Sequence, residues 1–298
     1  MSDAPAAVDV GRLVLKNPVV LASGPFGFGG RYVELFDPAR LGAVVLKGAA
    51  PVPWPGNPPP RVAAVDGGLV NAIGLENPGI DAVLAGPARA LAAAGATVVV
   101  NAIGHDAADF VEVARRAADS PDVRAIELNV SCPNVPDGLR YGTDPGAVAG
   151  LVAAVRAVTR LPLWVKLPPT PPDRAALARA VRDAGADALS LVNTLPALPL
   201  GPTGRSRLGA WAGGLSGPAL RPVALLAVAE CARSVDLPII GMGGIETAEH
   251  ARLFLAAGAR AVAVGTALFR NPLAAVEIAA ALDDAAVHAG RPKQDHAR

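Results

Sequence analysis

The amino-acid sequence predicts an α/β protein, a (β/α)8 TIM barrel with long loops over the C-terminal mouth of the barrel. Three observations support this fold. Short apolar runs recur eight times, helical stretches separate them, and polar residues or glycines stand where the runs end. A chain of 298 residues is long enough to close such a barrel and bury a full core.

The eight apolar runs are the predicted strands. Most are continuous rather than alternating in polarity, as expected of parallel strands that are covered on both faces. The runs span residues 18–23, 43–47, 97–101, 125–130, 163–167, 187–192, 238–242 and 261–265.

The segments between the strands are rich in Ala, Leu and Val, with charges along one face, which is typical of amphipathic helices. Clear examples span residues 80–94, 145–159, 173–184, 219–234 and 247–257. This order of elements favours a TIM barrel, and a doubly wound parallel sheet is the other arrangement of the same pattern.

Polar residues and glycines cluster at the C-terminal ends of the predicted strands, where a TIM barrel has its active site. They are Ser23, Lys47, Asn101, Asn129, Lys166, Asn193, Gly243 and Gly265. Because Lys47 and Lys166 close apolar runs, we expect both ammonium groups to point into the barrel mouth. A snorkelling lysine is the alternative for each.

Three segments exceed the usual length of a connection in this fold: residues 48–78, 133–143 and 195–217. They are rich in Gly and Pro, and loops of this length over a barrel mouth are typically lids or binding loops. With no linker, low-complexity tract or longer repeat, residues 1–298 are predicted to form one domain. The polar tail from residue 290 is expected to fray.

Composition excludes several classes of protein. The formal net charge is +1 and basic residues are not clustered, which argues against a nucleic-acid partner. Two distant cysteines, Cys132 and Cys231, build neither a disulfide framework nor a zinc or iron-sulfur site, so no metal is expected. Without a signal peptide or an apolar span, the chain is predicted to be soluble, unprocessed, cytoplasmic and free of the membrane.

Cys132 is the leading candidate for a catalytic base. It lies in the hexapeptide Asn129-Val-Ser-Cys-Pro-Asn134, directly after the fourth strand. A thiol has a reference pKa of about 8.5, which nearby positive charge can bring toward neutrality. The amides of Asn129 and Asn134 could orient a flat polar substrate beside it. A buried structural cysteine is the alternative interpretation.

Two other residues are expected to be structural. Cys231 is predicted to be a core residue of its helix, and His105 a surface or capping histidine rather than an acid or base.

Glycine-rich turns follow the last two strands. Gly241-Met-Gly-Gly-Ile245 and Val264-Gly-Thr-Ala267 occupy the positions of the recurrent phosphate site of a TIM barrel, where glycine lets backbone N–H groups approach a phosphate. A phosphorylated ligand is therefore expected, either a substrate or a cofactor such as FMN.

Seven blocks resemble the dihydroorotate dehydrogenase family in order and spacing over nearly the whole chain. They are residues 22–29, 56–62, 71–79, 129–134, 213–218, 240–244 and 264–266. The resemblance implies an FMN-dependent TIM-barrel oxidoreductase that oxidises dihydroorotate to orotate in de novo pyrimidine (UMP) biosynthesis. Cys132 makes the chain similar to the soluble class of the family, which uses a cysteine base.

The same resemblance implies roles for individual residues. Cys132 would take a proton from carbon 5 of dihydroorotate while carbon 6 gives hydride to flavin N5. The implied substrate contacts are Lys47, Asn71, Ala72, Ile73, Gly74, Leu75, Asn129, Asn134, Asn193 and Thr194. The implied FMN contacts are Ser23, Lys47, Gly48, Asn101, Asn129, Lys166, Val192, Gly217, Gly243, Gly244, Gly265 and Thr266.

Residues 193–195 and 214–217 resemble the subtype that passes electrons to NAD through a separate subunit with FAD and an iron-sulfur cluster, built on a homodimeric core. The chain departs from the family pattern in residues 167–170 and 195–207, and a fumarate-using subtype stays open. Two other functions also stay open: a uracil or thymine dehydrogenase, and a flavin-free phosphate-binding lyase or synthase.

Overall fold

The computed structural model describes residues 7–30, 32–131 and 138–289. Eight parallel strands close into a barrel in which each strand is hydrogen-bonded to the strands that precede and follow it in this series. The strands are β1 (Val19–Leu21), β2 (Ala43–Val45), β3 (Val98–Ala102), β4 (Ala125–Asn129), β5 (Leu163–Leu167), β6 (Ala188–Leu191), β7 (Ile239–Met242) and β8 (Ala261–Val264). The predicted TIM barrel is confirmed, and the doubly wound sheet is excluded.

The strands alternate between two buried faces. Val19, Leu21 and Val44 face the surrounding helices, while Val20 and Val45 point into the barrel. Burial on both sides explains why the runs are apolar throughout.

A short hairpin closes the N-terminal end of the barrel. Its strands, Val8–Asp9 and Val14–Leu15, pair antiparallel, and the turn between them presents Val10 to the barrel interior. The indole Nε1 of Trp164 donates a hydrogen bond of 3.3 Å to the carbonyl of Val10. The mouth at the opposite end is therefore the open end of the barrel.

Helices cover the outside of the barrel. The α-helices span Tyr32–Leu35, Ile80–Val83, Arg89–Ala93, Ala107–Ala118, Gly138–Thr143, Pro145–Val158, Arg174–Asp183, Arg221–Ser234, Ala248–Ala256 and Ala274–Ala289. Short 3-10 helices span Pro38–Arg40, Pro218–Leu220 and Thr266–Phe269. Side-chain caps begin several α-helices: Asp106, Asp144, Asp173 and Thr247 each accept a hydrogen bond from a backbone N–H of the first turn.

The five predicted helices are confirmed, with one interruption. Residues 80–94 form two short α-helices joined by a π-helical turn over Leu84–Ala88. Pro87 lies inside this turn, and proline lacks the N–H that a regular helical hydrogen bond requires.

A four-stranded antiparallel sheet lies beside the barrel mouth, where the sequence predicted only loops. Its order is Leu195–Ala197, Gly213–Ser216, Gly68–Asn71 and Val62–Val65. The prediction of loops for 48–78 and 195–217 is wrong in these parts, because the central pairing joins segments that are distant in sequence. In the third segment, Gly138–Thr143 is helical and residues 133–137 lie outside the described residues.

Across the described ranges, no helix has the length and apolarity that a membrane span requires.

Candidate active site

A cavity of about 390 Å³ opens at the C-terminal ends of the barrel strands. Residues that directly follow β1, β2 and β6 form part of its wall, and the antiparallel sheet contributes Asn71, Gly214 and Ser216. The cavity is therefore enclosed by the barrel on one side and by the sheet on the other, as expected of a site that holds a large ligand partly away from water.

Lys166 lies at the floor of the cavity. It stands on β5, its side chain is 6% exposed, and its Nζ donates a hydrogen bond of 3.2 Å to Ser23 Oγ. The Glu127 carboxylate lies 4.0 Å from the same nitrogen. Asn101, which is adjacent to Glu127 in the barrel register, donates from Nδ2 to Glu127 Oε1 at 2.7 Å. The floor thus presents a buried ammonium group to the cavity.

Lys47 provides a second cation at the side of the cavity. Its Nζ lies 3.4 Å from Glu76 Oε2, and Arg61 Nη1 lies 3.0 Å from the same oxygen. A hydrogen bond from Arg61, followed by the charge of Lys47, lowers the pKa of Glu76 below its usual value. The predicted direction of both lysine side chains, into the mouth, is confirmed.

Amide and hydroxyl groups form a cluster near the end of β4. Asn193 Nδ2 donates to Asn129 Oδ1 at 3.0 Å and lies 2.6 Å from Ser131 Oγ. The Ser131 hydroxyl also donates to Asn129 Oδ1, at 3.2 Å. On the sheet, Asn71 Nδ2 donates to the carbonyl of Gly214 at 3.1 Å. These contacts orient several amide groups around one end of the cavity, which suits a ring with alternating N–H and C=O groups on its edge.

Glycines line the opposite end. Gly244 has a φ of +67°, and a Cβ there would lie 2.6 Å from the carbonyl oxygen of Gly217. Gly265 begins the 3-10 helix Thr266–Phe269, and Gly217 begins the helical stretch that continues into Arg221–Ser234. Helix N-termini and glycine backbones favour a phosphate. A side chain at Gly244 would collide with the Gly217 backbone, so this close approach of the two turns requires glycine. The backbone N–H groups of these turns fit a phosphorylated cofactor, and Lys166 fits a ring that gains negative charge.

The structure brings almost all the predicted site residues that it describes to this cavity. The lining includes Ser23, Lys47, Gly48, Asn71, Ile73, Gly74, Leu75, Asn101, Asn129, Lys166, Val192, Asn193, Thr194, Gly217, Gly243, Gly244, Gly265 and Thr266. Ala72 is not part of the lining, because its side chain points the other way and packs with Ala63, Val70 and Leu208. Cys132 and Asn134 lie outside the described residues.

The sequence interpretation missed two acidic residues, Glu127 and Glu76. Glu127 interrupts an apolar strand, and a charged residue in such a run was the signal for a buried polar contact. Glu76 lies within one of the glycine- and asparagine-rich blocks, but its partners Lys47 and Arg61 are distant enough in sequence that only the fold joins them.

The structure confirms Cys231 as a core residue of its helix and His105 as a surface residue. Cys231 is fully buried on the helix Arg221–Ser234, and burial raises the pKa of its thiol to about 12. His105 is exposed, and its ring lies 4.1 Å from that of Trp54 between centroids.

Comparison with known proteins identifies relatives over nearly the full length. The family model for dihydroorotate dehydrogenase matches residues 6–285. Proteins named dihydroorotate dehydrogenase B (NAD(+)), catalytic subunit, are similar throughout. The one from Alkaliphilus oremlandii is 46% identical over 279 residues, which is 93% of this chain and 92% of that protein. Those from Geobacillus kaustophilus and Desulforudis audaxviator are 45% and 47% identical, each over 93% of this chain and 91% of the relative.

Proposed function

This chain belongs to the dihydroorotate dehydrogenase family, and we propose that its cavity holds FMN beside dihydroorotate, with Cys132 as the base. The enzyme is a flavin-dependent oxidoreductase that oxidises dihydroorotate to orotate in pyrimidine biosynthesis. The observation that carries the proposal is the convergence of Lys47, Lys166 and the asparagine cluster (Asn71, Asn129 and Asn193) on one cavity at the barrel mouth.

FMN is the flavin that the cavity suits best. The glycine cradle of Gly217, Gly244 and Gly265 would hold its phosphate, while Lys166 and Asn101 would contact its ring. When bound, the flavin accepts hydride from carbon 6 of the substrate. The ammonium of Lys166 favours a ring that becomes negatively charged on reduction, because its side chain is only 6% exposed and its charge is little screened by solvent.

Lys47 and the asparagine cluster would bind dihydroorotate. The Lys47 ammonium suits the substrate carboxylate, and the amides of Asn71, Asn129 and Asn193 suit the polar edge of its ring. Asn193 Nδ2 donates a hydrogen bond to Asn129 Oδ1, so the orientation of the Asn129 amide is set before the substrate binds. Such preorganisation would fix the orientation of the substrate ring in the cavity.

Cys132 would remove the proton from carbon 5. The residue follows Ser131, which lies beside the asparagine cluster, so the chain reaches the substrate end of the cavity at this point. A thiolate is a suitable base near neutral pH because a positive environment favours its ionised form. The thiolate would take up the carbon 5 proton and become a thiol as carbon 6 loses hydride, so substrate oxidation is balanced.

A partner subunit receives the electrons. The relatives are named as catalytic subunits, which implies a second subunit, and we propose that it carries FAD and an iron-sulfur cluster. Two cysteines in the whole sequence cannot supply the four thiolates that such a cluster takes. A homodimer of this chain would form the core of the complex.

Anaerobic addition of dihydroorotate to the purified protein tests the proposal. We expect yellow protein that releases FMN on denaturation, bleaches on addition of dihydroorotate and yields orotate. Dihydrouracil, which lacks the carboxylate for Lys47, should bleach the flavin far more slowly. A preparation that neither contains nor binds FMN would refute the proposal, and equal bleaching by dihydrouracil would refute the role of Lys47.

A further inference from the structure

Glu127 is a charged residue in the interior of the barrel. It stands in the middle of β4, only 1% of it is exposed, and it does not line the cavity. A buried carboxylate costs free energy unless it is paired and hydrogen-bonded. Its partners therefore indicate what it does.

Both carboxylate oxygens accept a hydrogen bond. Asn101 Nδ2 donates to Oε1 at 2.7 Å, and Ser190 Oγ donates to Oε2 at 2.7 Å. Because Glu127 Oε1 accepts from the Asn101 amide, the nitrogen of Asn101 points away from Gly48. The Asn101 oxygen faces Gly48 instead, where a Cβ would lie 3.0 Å from it.

Lys166 is the cation nearest to this carboxylate, with Nζ 4.0 Å from Oε1. The two acidic side chains in the described lining of the cavity are paired with other cations: Glu76 with Lys47 and Arg61, and Glu246 with Arg221. The remaining polar contact of the Lys166 ammonium is the neutral hydroxyl of Ser23. Among the described residues, Glu127 is thus the one acid within ion-pair distance of Lys166.

We infer that Glu127 is a positioning residue that keeps the buried ammonium of Lys166 protonated at the floor of the cofactor cavity. A lysine this deeply buried loses its proton readily when no counter-ion faces it. The inference rests on the proposed function, since a fixed cation matters there for a flavin ring that becomes anionic. Glu127 acts through Lys166 and contacts neither cofactor nor substrate.

Chemical labelling of Lys166 tests the inference without any flavin. Only a neutral amine attacks acetic anhydride, forming an amide and releasing acetate and a proton, so the labelling rate reports the neutral fraction. The flavin-free full chain would be labelled from about pH 6 to pH 9, a range in which a reference lysine stays protonated. Mass spectrometry would compare Lys166 with the exposed Lys16 in the same molecule.

Glu127→Gln removes the charge and keeps the shape of the side chain. Relative to Lys16, we expect Lys166 to be labelled at least about 10-fold faster in this variant. An opposite charge at this distance generally changes the pKa of a group by about one unit or more. Ser190→Ala is the matched control: it removes a buried hydrogen bond of Glu127 but leaves the charge, and labelling should match the wild type. Equal rates in Glu127→Gln and the wild type would overturn the inference.

The wild-type profile keeps the inference testable if Glu127→Gln does not fold. Labelling of wild-type Lys166 should keep rising with pH throughout the range, and a plateau near neutral pH would show an already neutral amine and overturn the inference. In FMN-loaded protein reduced electrochemically, so that electrons arrive without protons, the two-electron reduction should take up one proton in the wild type. In Glu127→Gln it should take up close to two, because Lys166 then gains a proton as the ring becomes anionic. Absence of FMN binding would refute the proposed function, while the labelling result would still decide the role of Glu127.

Discussion

Lys47 and Glu76 form an ion pair at the cavity, with Nζ 3.4 Å from Oε2, and Arg61 contacts the same carboxylate oxygen at 3.0 Å. The Glu76 side chain is 47% exposed, so the pair is only partly shielded from water. Lys47 is also the residue proposed to bind the substrate carboxylate. An incoming dihydroorotate therefore has to compete with Glu76, and Arg61 can keep Glu76 in place when Lys47 is released.

Glu76→Gln should strengthen orotate binding. Removing the competing carboxylate frees Lys47, and exposed pairs of this kind change affinity by about 2- to 5-fold. Titration of the flavin absorbance with orotate measures the change. Glu246→Gln, the other carboxylate at the cavity, pairs with Arg221 and should leave orotate affinity unchanged. Weaker orotate binding in Glu76→Gln would show instead that Glu76 orients Lys47 productively.

The difference in orotate affinity between Glu76→Gln and the wild type should depend on pH, because the pKa of Glu76 is lowered. The Arg61 hydrogen bond is the first cause of this lowering, and the charge of Lys47 is the second. A group with a depressed pKa keeps its ionic contacts through the usual glutamate range and loses them only as the pH falls through the lower value. The affinity difference between Glu76→Gln and the wild type should therefore persist below pH 4.5, the ordinary value, and vanish at lower pH.

Cys132→Ser should slow flavin reduction by dihydroorotate by about 100- to 10,000-fold, the range for a lost general base. A hydroxyl ionises far less readily than a thiol, so the defect should ease as the pH rises. Stopped-flow bleaching measures the rate. Cys231→Ser is the control. Burial raises the pKa of that thiol, and Cys231 does not line the cavity, so the rate of this variant should equal that of the wild type. Unchanged reduction in Cys132→Ser would make Cys132 structural.

Gly244→Ala should weaken FMN binding. The new Cβ would lie 2.6 Å from the Gly217 carbonyl oxygen. The backbone φ of +67° at this position is also one that residues with a side chain rarely adopt. Strain of this kind costs about 1–3 kcal/mol, which corresponds to roughly 10-fold or more in affinity. Gly204→Ala shares the positive φ but has no atom within 4 Å of its Cβ and lies away from the cavity. Fluorescence titration with FMN should separate the two variants, and equal affinities would argue against the cradle.

The isolated chain should reduce its flavin with dihydroorotate but transfer electrons to NAD only slowly. Its sequence has no strand-following GxGxxG for a dinucleotide and no cysteine cluster for iron and sulfur. Co-expression with the partner subunit should restore dihydroorotate-dependent NADH formation, measured by absorbance. Rapid NAD reduction by the chain alone would contradict the proposed partner, and fast turnover with fumarate would assign the chain to the fumarate-using subtype.

Local patterns were sufficient to predict the barrel. Runs such as residues 163–167 are apolar, apart from Lys166, because both faces of a parallel strand are buried, and that property can be read from consecutive residues. The C-terminal ends of parallel strands meet at one mouth, so Lys47, Asn101 and Lys166 could be assigned to a common site without a structure.

Tertiary structure decided the contacts between segments that are distant in sequence. Gly214 pairs with Asn71 only because the chain returns to the mouth after most of the barrel is complete, and neither strand is recognisable from its four-residue, glycine-containing sequence. The same fold turns Ala72 away from the cavity and brings Glu127 to Lys166. Residue types and their local period were enough to predict the barrel, whereas the antiparallel sheet and the charge network beneath the cavity depend on pairings that arise only when the barrel closes.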